Sequence, residues 1–265
     1  MVKSVTTPPL ISVICCAHNE EEYIDKSIPN LLRALETFSS EVLFVADRCT
    51  DNTVKKVRKY EVKVIEKKWR RWQNSYAEAL QTGYHNSKAL FIGIVDADIL
   101  VPTNFFRDLM QLVKGNVASV AAQVVTYPDT SLNRMIYAWE RTRSVAPLGD
   151  KPRGAARIIL KKALDEIQGF ANAPTPDTDI DIRLAKKGYK SISTSAVRAF
   201  HIRHISLRTI VGGQITSGRG RYALGVSLIR TMGHAIFRFR PLVLYGWLLE
   251  RQMSLHTNEH KMKIQ

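Results

Sequence analysis

Phe91-Ile-Gly-Ile-Val-Asp-Ala-Asp-Ile-Leu-Val-Pro102 is the stretch whose reading decides the fold. From Leu90 to Ile94 every residue is apolar or glycine, the pattern of a strand buried on both faces. The strand runs directly into Asp96 and Asp98, with Ala97 between them, and Pro102-Thr103 predicts a closing turn and a helix start. Acids at the carboxyl end of a buried strand lie where open α/β sheets hold their ligands. Two such carboxylates repel each other unless a cation sits between or beside them. Mg²⁺ or Mn²⁺ suits the position, since both take oxygen donors and share them with substrate phosphates. An Asp-x-Asp is also a common solvated turn or helix cap. The pair alone leaves both readings open.

The flanking chain alternates strand and helix patterns. Leu10 to Cys16 reads as a strand, followed by His18-Asn19-Glu20-Glu21-Glu22 and helical spacing from Tyr23 to Leu35, with Asn19 as the expected N-cap and Pro29 as a kink or an early helix position. Val42 to Ala46 reads as a second strand, Thr53 to Tyr60 as a helix, and Val62 to Ile65 as a third strand. Lys67-Lys68-Trp69-Arg70-Arg71-Trp72 is a basic, aromatic loop. Its tryptophans are expected to pack on the sheet, with stacking on a base or sugar as the alternative. A helix over 74–84 leads into the opening stretch. The β-α-β-α-β-α-β order predicts a parallel sheet with right-handed crossovers. Further on, the pattern gives a helix at 103–113, a strand at 117–125, an amphipathic helix at 131–143 and a Gly/Pro/basic loop at 147–157. A short strand (157–160) and a short helix (161–167) follow. Pro174-Thr-Pro-Asp-Thr-Asp-Ile-Asp181 then leads into a helix from Ile182 to Lys187, with Gly188 as its C′ residue. Tyr189 to Phe200 reads as extended, ending at His201-Ile202-Arg203-His204.

A chain of 265 residues, 45% hydrophobic and 24% charged, has ample material for a core. Its net charge of +15 implies an anionic partner such as a nucleotide, a nucleic acid or an acidic membrane surface. The excess is concentrated late. From Val197 onward eleven basic residues face two acidic ones, a net +9. Cys15, Cys16 and Cys49 form no Cys-x-x-Cys pair, which excludes a zinc signature and suits a reduced, cytosolic chain. Met1 to Pro9 has no apolar core of the kind a signal peptide needs, and Pro241 to Leu249 is far short of the ~20 residues of a spanning helix.

Four pieces in order resemble the family 2 glycosyltransferases of the GT-A type. They are Ile11 to Glu21, Val45-Ala-Asp-Arg-Cys-Thr-Asp-Asn-Thr53, Val95-Asp-Ala-Asp98, and Pro176-Asp-Thr-Asp-Ile-Asp-Ile-Arg-Leu184 with Gly188-Tyr189. The resemblance implies a GT-A-type, Rossmann-like, mostly parallel sheet flanked by helices. It implies a catalytic domain at 1–204, with a nucleotide-binding half at 1–100 and an acceptor half at 101–204, and a basic helical extension at 205–265. The implied activity is transfer of a sugar from a UDP- or GDP-linked donor to a glycan or lipid-linked acceptor, with inversion and with Mg²⁺ or Mn²⁺. By the same resemblance, Ala17 to Glu20 (Ala17, Asn19 and Glu20 among them) and Asp47 hold the nucleoside, and Asp96 lies near the ribose. Asp98 binds the metal, completed by His201 or else His204, and Asp177 is the general base. The chain departs from the family pattern at Pro176, where Glu is frequent, at Ala46, where a first Asp is frequent, and at Gln73-Asn74-Ser75, where a Gly-Lys or an Arg is usual.

Residue by residue, plainer readings stand beside these. Asp177 or Asp179 fits a helix cap, Asp47 and Asp51 fit turns, His201 fits a satisfied surface histidine, and His18 and Glu20 fit backbone-positioning roles. Gly213-Gln-Ile-Thr-Ser-Gly218 lacks the Lys-Ser/Thr of a P-loop. Two other functions compete. A basic nucleic-acid-binding α/β protein would not need the spaced acids, and a sugar nucleotidyltransferase would carry a Gly-rich basic loop where His18 to Glu22 is acidic. No nucleic acid partner is therefore expected. Phe237-Arg-Phe-Arg-Pro-Leu-Val-Leu-Tyr-Gly-Trp-Leu-Leu249 suits a helix lying in a membrane interface, which would make the chain cytoplasmic and peripheral at the inner face of the cell membrane. Packing of that helix on the domain, or across a homodimer, is the alternative.

Overall fold

A computed structural model of the chain describes residues 8–141, 154–203 and 207–262. The first half alternates as expected: β1 (Ile11–Ala17), α1 (Glu21–Leu35), β2 (Ser40–Asp47), α2 (Thr53–Val57), β3 (Lys63–Lys67), α3 (Ser75–Asn86) and β4 (Phe91–Val95). Next come β5 (Ile99–Leu100), α4 (Phe105–Met110), β6 (Val117–Thr126), α5 (Ser131–Arg141), β7 (Ala156–Leu160) and α6 (Lys161–Glu166). α7 (Pro176–Lys186), β8 (Lys190–His201), α8 (Leu207–Ala223), α9 (Leu228–Phe237) and α10 (Pro241–Met262) complete the order. The chain divides into two compact units, Met1–Glu140 with Asp150–Arg203, and Arg141–Gly149 with His204–Gln265.

The first unit is built on one eight-stranded sheet ordered β3-β2-β1-β4-β7-β6-β8-β5. β3, β2, β1 and β4 run parallel, as do β6 and β8, while β7 and β5 pair antiparallel with their neighbours. Side-chain alternation on β1 sends Ile11, Val13 and Cys15 to one face and Ile14 and Cys16 to the other, and both faces are covered. Ile24, Ile28 and Leu31 of α1, with Phe105 and Phe106 of α4, fill one side. Ala79 and Leu80 of α3, Leu164 of α6, and Ile180 and Leu184 of α7 fill the other. α3 and α7, which carry Tyr76 and Asp177, therefore lie on the same face. The chain leaves β1 for β2 and β3 on one side and returns to β4 on the other. The β1/β4 boundary is thus the topological switch point, where the carboxyl ends of neighbouring strands open a crevice.

Several local expectations are corrected. Asn19 is not the N-cap of α1. It takes a left-handed φ of 56°, which asparagine tolerates, and Glu20 occupies the cap position without a side-chain cap bond. Pro102-Thr103 does not open a helix directly. β5, whose Ile99 pairs with His201, lies between the acids and Pro102, and α4 begins only at Phe105, after Asn104. α7 begins at Pro176 rather than Ile182, since proline is pre-set for the first helical turn and the following Asp177 and Asp179 suit its positive end. Gly188 (φ 86°) terminates it as read from the sequence. Trp69 is 76% exposed and does not pack on the sheet. Most of the loop read at 147–157 lies outside the described residues.

In the second unit α8 and α10 cross with their backbones in close approach. A Cβ on Gly218 would run into the Val243 carbonyl oxygen, and one on Gly246 into the Ile215 carbonyl oxygen. Backbone cannot yield as a side-chain tip can, so Gly246→Ala and Gly218→Ala are each expected to cost about 1–3 kcal/mol of that unit's stability. Thermal unfolding followed by circular dichroism checks this. A melting temperature unchanged in both variants would show that the helices do not cross there.

Candidate active site at the strand ends

The backbone of β4 is fixed by β1 on one side and β7 on the other, so its exit is rigid. Asp96 donates its N–H to the Ala155 carbonyl at 3.1 Å and accepts the Ile99 N–H at 3.1 Å, a turn that presents both carboxylates. Asp98 is buried. Its Oδ2 faces His201 Nε2 at 3.1 Å and accepts Arg203 Nε at 2.8 Å, and the same guanidinium also bonds Glu20. The Ile202 N–H donates to the Asp98 carbonyl at 3.0 Å, tying the end of β8 to this turn. Burial alone would raise the Asp98 pKa, but His201 and Arg203 outweigh it and hold the carboxyl below its usual range. Asp96 lacks such partners. Desolvation, with the Asp98 charge adding to it, pushes its carboxyl up to about 7. Glu20 is also raised, by burial, against the opposing pull of Arg203.

Tyr76 on α3 donates its hydroxyl to Asp96 Oδ1 at 2.8 Å. Burial, and then the Asp96 charge, push this phenol well above its ordinary value. Gly154 lies against the same group: a Cβ built there would stand 3.2 Å from Asp177 Cβ and 3.9 Å from the Tyr76 hydroxyl. Asp177, 81 positions beyond Asp96 in the sequence, thus shares Gly154 as a neighbour with the residue that bonds Asp96, and its charge acts on that phenol. It is half-buried, and its Oδ1 accepts the Thr178 N–H at 2.9 Å. The Asn74 side chain caps α3 through the Ala77 N–H at 3.0 Å and donates to the Ala173 carbonyl at 2.8 Å. That bond ties the start of α3 to the segment leading into α7. A cavity of about 400 Å³ opens here between Asn74, Tyr76, Asn172 and Pro174.

The neighbouring strand ends carry the remaining positions. Ala17 ends β1 beside Ala46 of β2 and accepts a bond from Cys49 Sγ at 3.6 Å. Asn19 Oδ1 accepts the Thr50 N–H at 2.7 Å, and the Glu20 N–H donates to Thr53 Oγ1 at 2.8 Å, so the loops after β1 and β2 are laced together. His18 Nδ1 lies 2.6 Å from the Asp47 carbonyl oxygen. Asp47 is buried and receives both Arg48 (two bonds of 3.0 Å) and Lys67 (2.8 Å). Lys67 also bonds Glu78 at 3.0 Å, and Glu78 accepts the N–H groups of Arg71 and Trp72, holding the basic loop back onto α3. Asp51 accepts from Thr53 and Glu21 N–H groups, a turn and cap role. His204 lies outside the described residues.

Three contributors escape the sequence reading: Arg203, Tyr76 and Lys67. Arg203 stands two positions after His201, and the period of a strand would have placed both on one face. Tyr76 and Lys67 carry no sequence signal of this kind.

A sheet with this strand order, and with acids gathered at the carboxyl ends of its parallel strands, defines a class: the open α/β proteins, which as a rule take their ligands at the topological switch point. The chain belongs to glycosyl transferase family 2, whose family model matches residues 12–171. It is similar to an uncharacterized glycosyltransferase of Haemophilus influenzae, 26% identical over 113 residues, which is 41% of this chain and 34% of that protein. The match thus spans about a third of that relative's length. In fold it resembles a mannosyltransferase from Pyrobaculum calidifontis in complex with GDP-Man and Mn²⁺ (20% identity, TM-score 0.63, covering 92% of this chain and 70% of that one). It also resembles glucosyl-3-phosphoglycerate synthase from Mycobacterium tuberculosis in complex with Mn²⁺, UDP and phosphoglyceric acid (16% identity, TM-score 0.59, covering 82% and 77%). The expected mostly parallel GT-A-type sheet flanked by helices is the architecture observed.

The Asp47 network gives a pH dependence. Burial would raise the Asp47 pKa, but the bonds from Arg48 and Lys67 outweigh it, so the folded value lies below the unfolded one. The resulting stability is present above the unfolded value of about 4 and is lost as pH falls through the folded value. Asp47→Asn is expected to lower stability at neutral pH and to flatten the acid limb of a urea-midpoint profile. An unchanged acid limb would show that Asp47 is not coupled to these cations.

Proposed function

We propose that this chain is an inverting, metal-assisted glycosyltransferase, moving a sugar from a UDP- or GDP-linked donor to a hydroxyl of a glycan or lipid-linked acceptor. The observation that carries the reading is the junction at Tyr76: its hydroxyl bonds Asp96, and Gly154 lies close to both that hydroxyl and Asp177, whose charge also acts on the phenol. Acids widely separated in sequence thus border one stretch of the strand ends, beside a cavity of about 400 Å³.

The donor set suits Mg²⁺ or Mn²⁺. Asp98 offers a buried carboxylate oxygen and His201 an imidazole nitrogen 3.1 Å away, and a guanidinium already supplies positive charge there. Among the described residues no three His, Cys, Asp or Glu side chains gather as a ready-made cage. Asp98 and His201 would therefore hold the ion with help from diphosphate oxygens and water. When bound, the ion supplies Lewis-acid stabilisation of the charge that develops on the departing diphosphate. Arg203, on Asp98 in this structure, is long enough to turn its positive charge toward the same phosphate oxygens.

The protein's own groups do the rest. Asp47 and the loop Ala17 to Glu20 bind and orient the nucleoside, and Asp96 lies toward the ribose. Asp177 accepts the proton of the acceptor hydroxyl as that oxygen attacks the anomeric carbon from the side opposite the diphosphate. One carboxylate activating the nucleophile on the far face is the arrangement that inverts configuration in glycosidases. We further place the chain as a peripheral protein on an anionic membrane surface, held by its basic C-terminal segment, with no nucleic acid as ligand.

Thermal-shift titration with nucleoside diphosphates and Mn²⁺ tests the donor site. A ligand at about 100 times its dissociation constant stabilises by about 2.7 kcal/mol. Asp98→Ala is expected to remove the Mn²⁺-dependent part of the shift; a full shift in that variant would move the ion elsewhere. Asp177→Ala is expected to keep donor binding and lose about 10²–10⁴-fold in kcat, with NMR of the wild-type product showing an inverted anomeric centre. Wild-type turnover in Asp177→Ala, or a retained anomer, would overturn the general-base assignment.

A further inference from the structure

α9 turns Thr231 and Ala235 inward, where Thr231 Oγ1 accepts from Arg221 Nε at 3.2 Å. Its outward side is apolar and open: Ile229 is 81% exposed, Met232 43%, Ile236 65% and Phe237 58%. The spacing of 229, 232 and 236 repeats with the helix, so these side chains form one stripe. Phe239 extends it at 79% exposure. Its φ of 50° is a left-handed conformation that costs a non-glycine residue energy, in a turn that leaves an aromatic ring in solvent. A protein that gained nothing from the stripe would not keep five large apolar side chains together in water.

The surroundings indicate what covers it. Arg230 lies exposed beside Ile229, and Arg238 and Arg240 flank Phe239 in sequence. From His204 to Gln265 nine Lys and Arg residues face two Glu. A second copy of this chain would bring the same cations face to face. A nucleic acid backbone would engage the arginines and leave the apolar stripe without a partner. A surface that is anionic at its face and hydrocarbon just beneath satisfies both. No described helix is long and apolar enough to cross such a layer, which leaves a helix lying within its interface.

We propose that the outward stripe of α9 and Phe239 seat this chain on an anionic lipid bilayer, with Ile229, Ile236, Phe237 and Phe239 below the headgroups and Arg230 among them. The inference deepens the membrane association proposed above, and the transfer chemistry does not enter it.

The test is cosedimentation of the purified full chain with phosphatidylcholine vesicles with and without phosphatidylglycerol. Nucleoside diphosphate binding is measured on the same samples as a check of folding. The expected result is binding to the anionic vesicles that falls with added salt. Phe237→Glu combined with Ile236→Glu should lower it to the level seen with neutral vesicles, and Arg230→Gln should weaken it about fivefold. Equal binding by wild type and the double variant would overturn the α9 stripe while leaving membrane association intact. Binding by neither would overturn both. A wild-type dimer in sedimentation velocity that the double variant abolishes, without vesicle binding, would assign the stripe to a second copy of the chain.

Discussion

Two carboxylates that leave one buried strand two positions apart cannot both stay ionised in a desolvated site without positive charge beside them. The structure shows both responses to this constraint. Asp98 keeps its charge by gathering His201 and Arg203, while Asp96, without such partners, is driven up to about 7 and leans on the Tyr76 hydroxyl. The end of β8 must reach the end of β4 for the first response, which β5 secures by pairing Ile99 with His201. α3 must lie on the α7 side of the sheet for the second. The strand order and the faces of the helices are therefore bound to the electrostatics of one turn.

The same logic extends to the neighbouring strands. Asp47 at the end of β2 is held by Arg48 and Lys67, and Lys67 shares its charge with Glu78 on α3. Asp47 and Glu78, like Asp98, are thus kept ionised by bonds from cations and backbone N–H groups of loops and strand ends. Deep in the sheet, Arg157 is fully buried and bonds Ser119 and Asp181, which ties β7 to α7 one helical turn beyond Asp177. A metal-bound diphosphate entering such a site would meet side chains already held near their places, with Arg203 the one that must turn from Asp98.

Much of this is legible in the sequence. Buried parallel strands announce themselves as short apolar runs, so β1, β2 and β4 and the acids at their ends follow from the sequence alone. What escaped has physical reasons. β5 is two residues long and has no period to detect. The start of α7 is only partly legible: Asp177 or Asp179 reads as a helix cap, but regular helical spacing begins only at Ile182, although a proline at the first helical position and acids in the first turn favour a helix from Pro176. Asn19 looked like a cap, but its side chain is spent on Thr50 across the loop after β2, a tertiary contact that no local rule foresees. Tyr76 matters through what it meets rather than through any spacing of its own, whereas Arg203 keeps strand period with His201; Trp69 stays 76% exposed although Glu78 holds the Arg71 and Trp72 N–H groups of the same loop.

The most direct measurement is a crystal structure of the chain grown with Mn²⁺ and a nucleoside diphosphate, with anomalous data collected at the manganese edge. An anomalous peak bonded to the Asp98 carboxylate and to a diphosphate oxygen, with Arg203 withdrawn from Asp98, is the predicted result. A diphosphate bound away from the ends of β1, β2 and β4, or manganese seated elsewhere while Arg203 still pairs with Asp98, would contradict it.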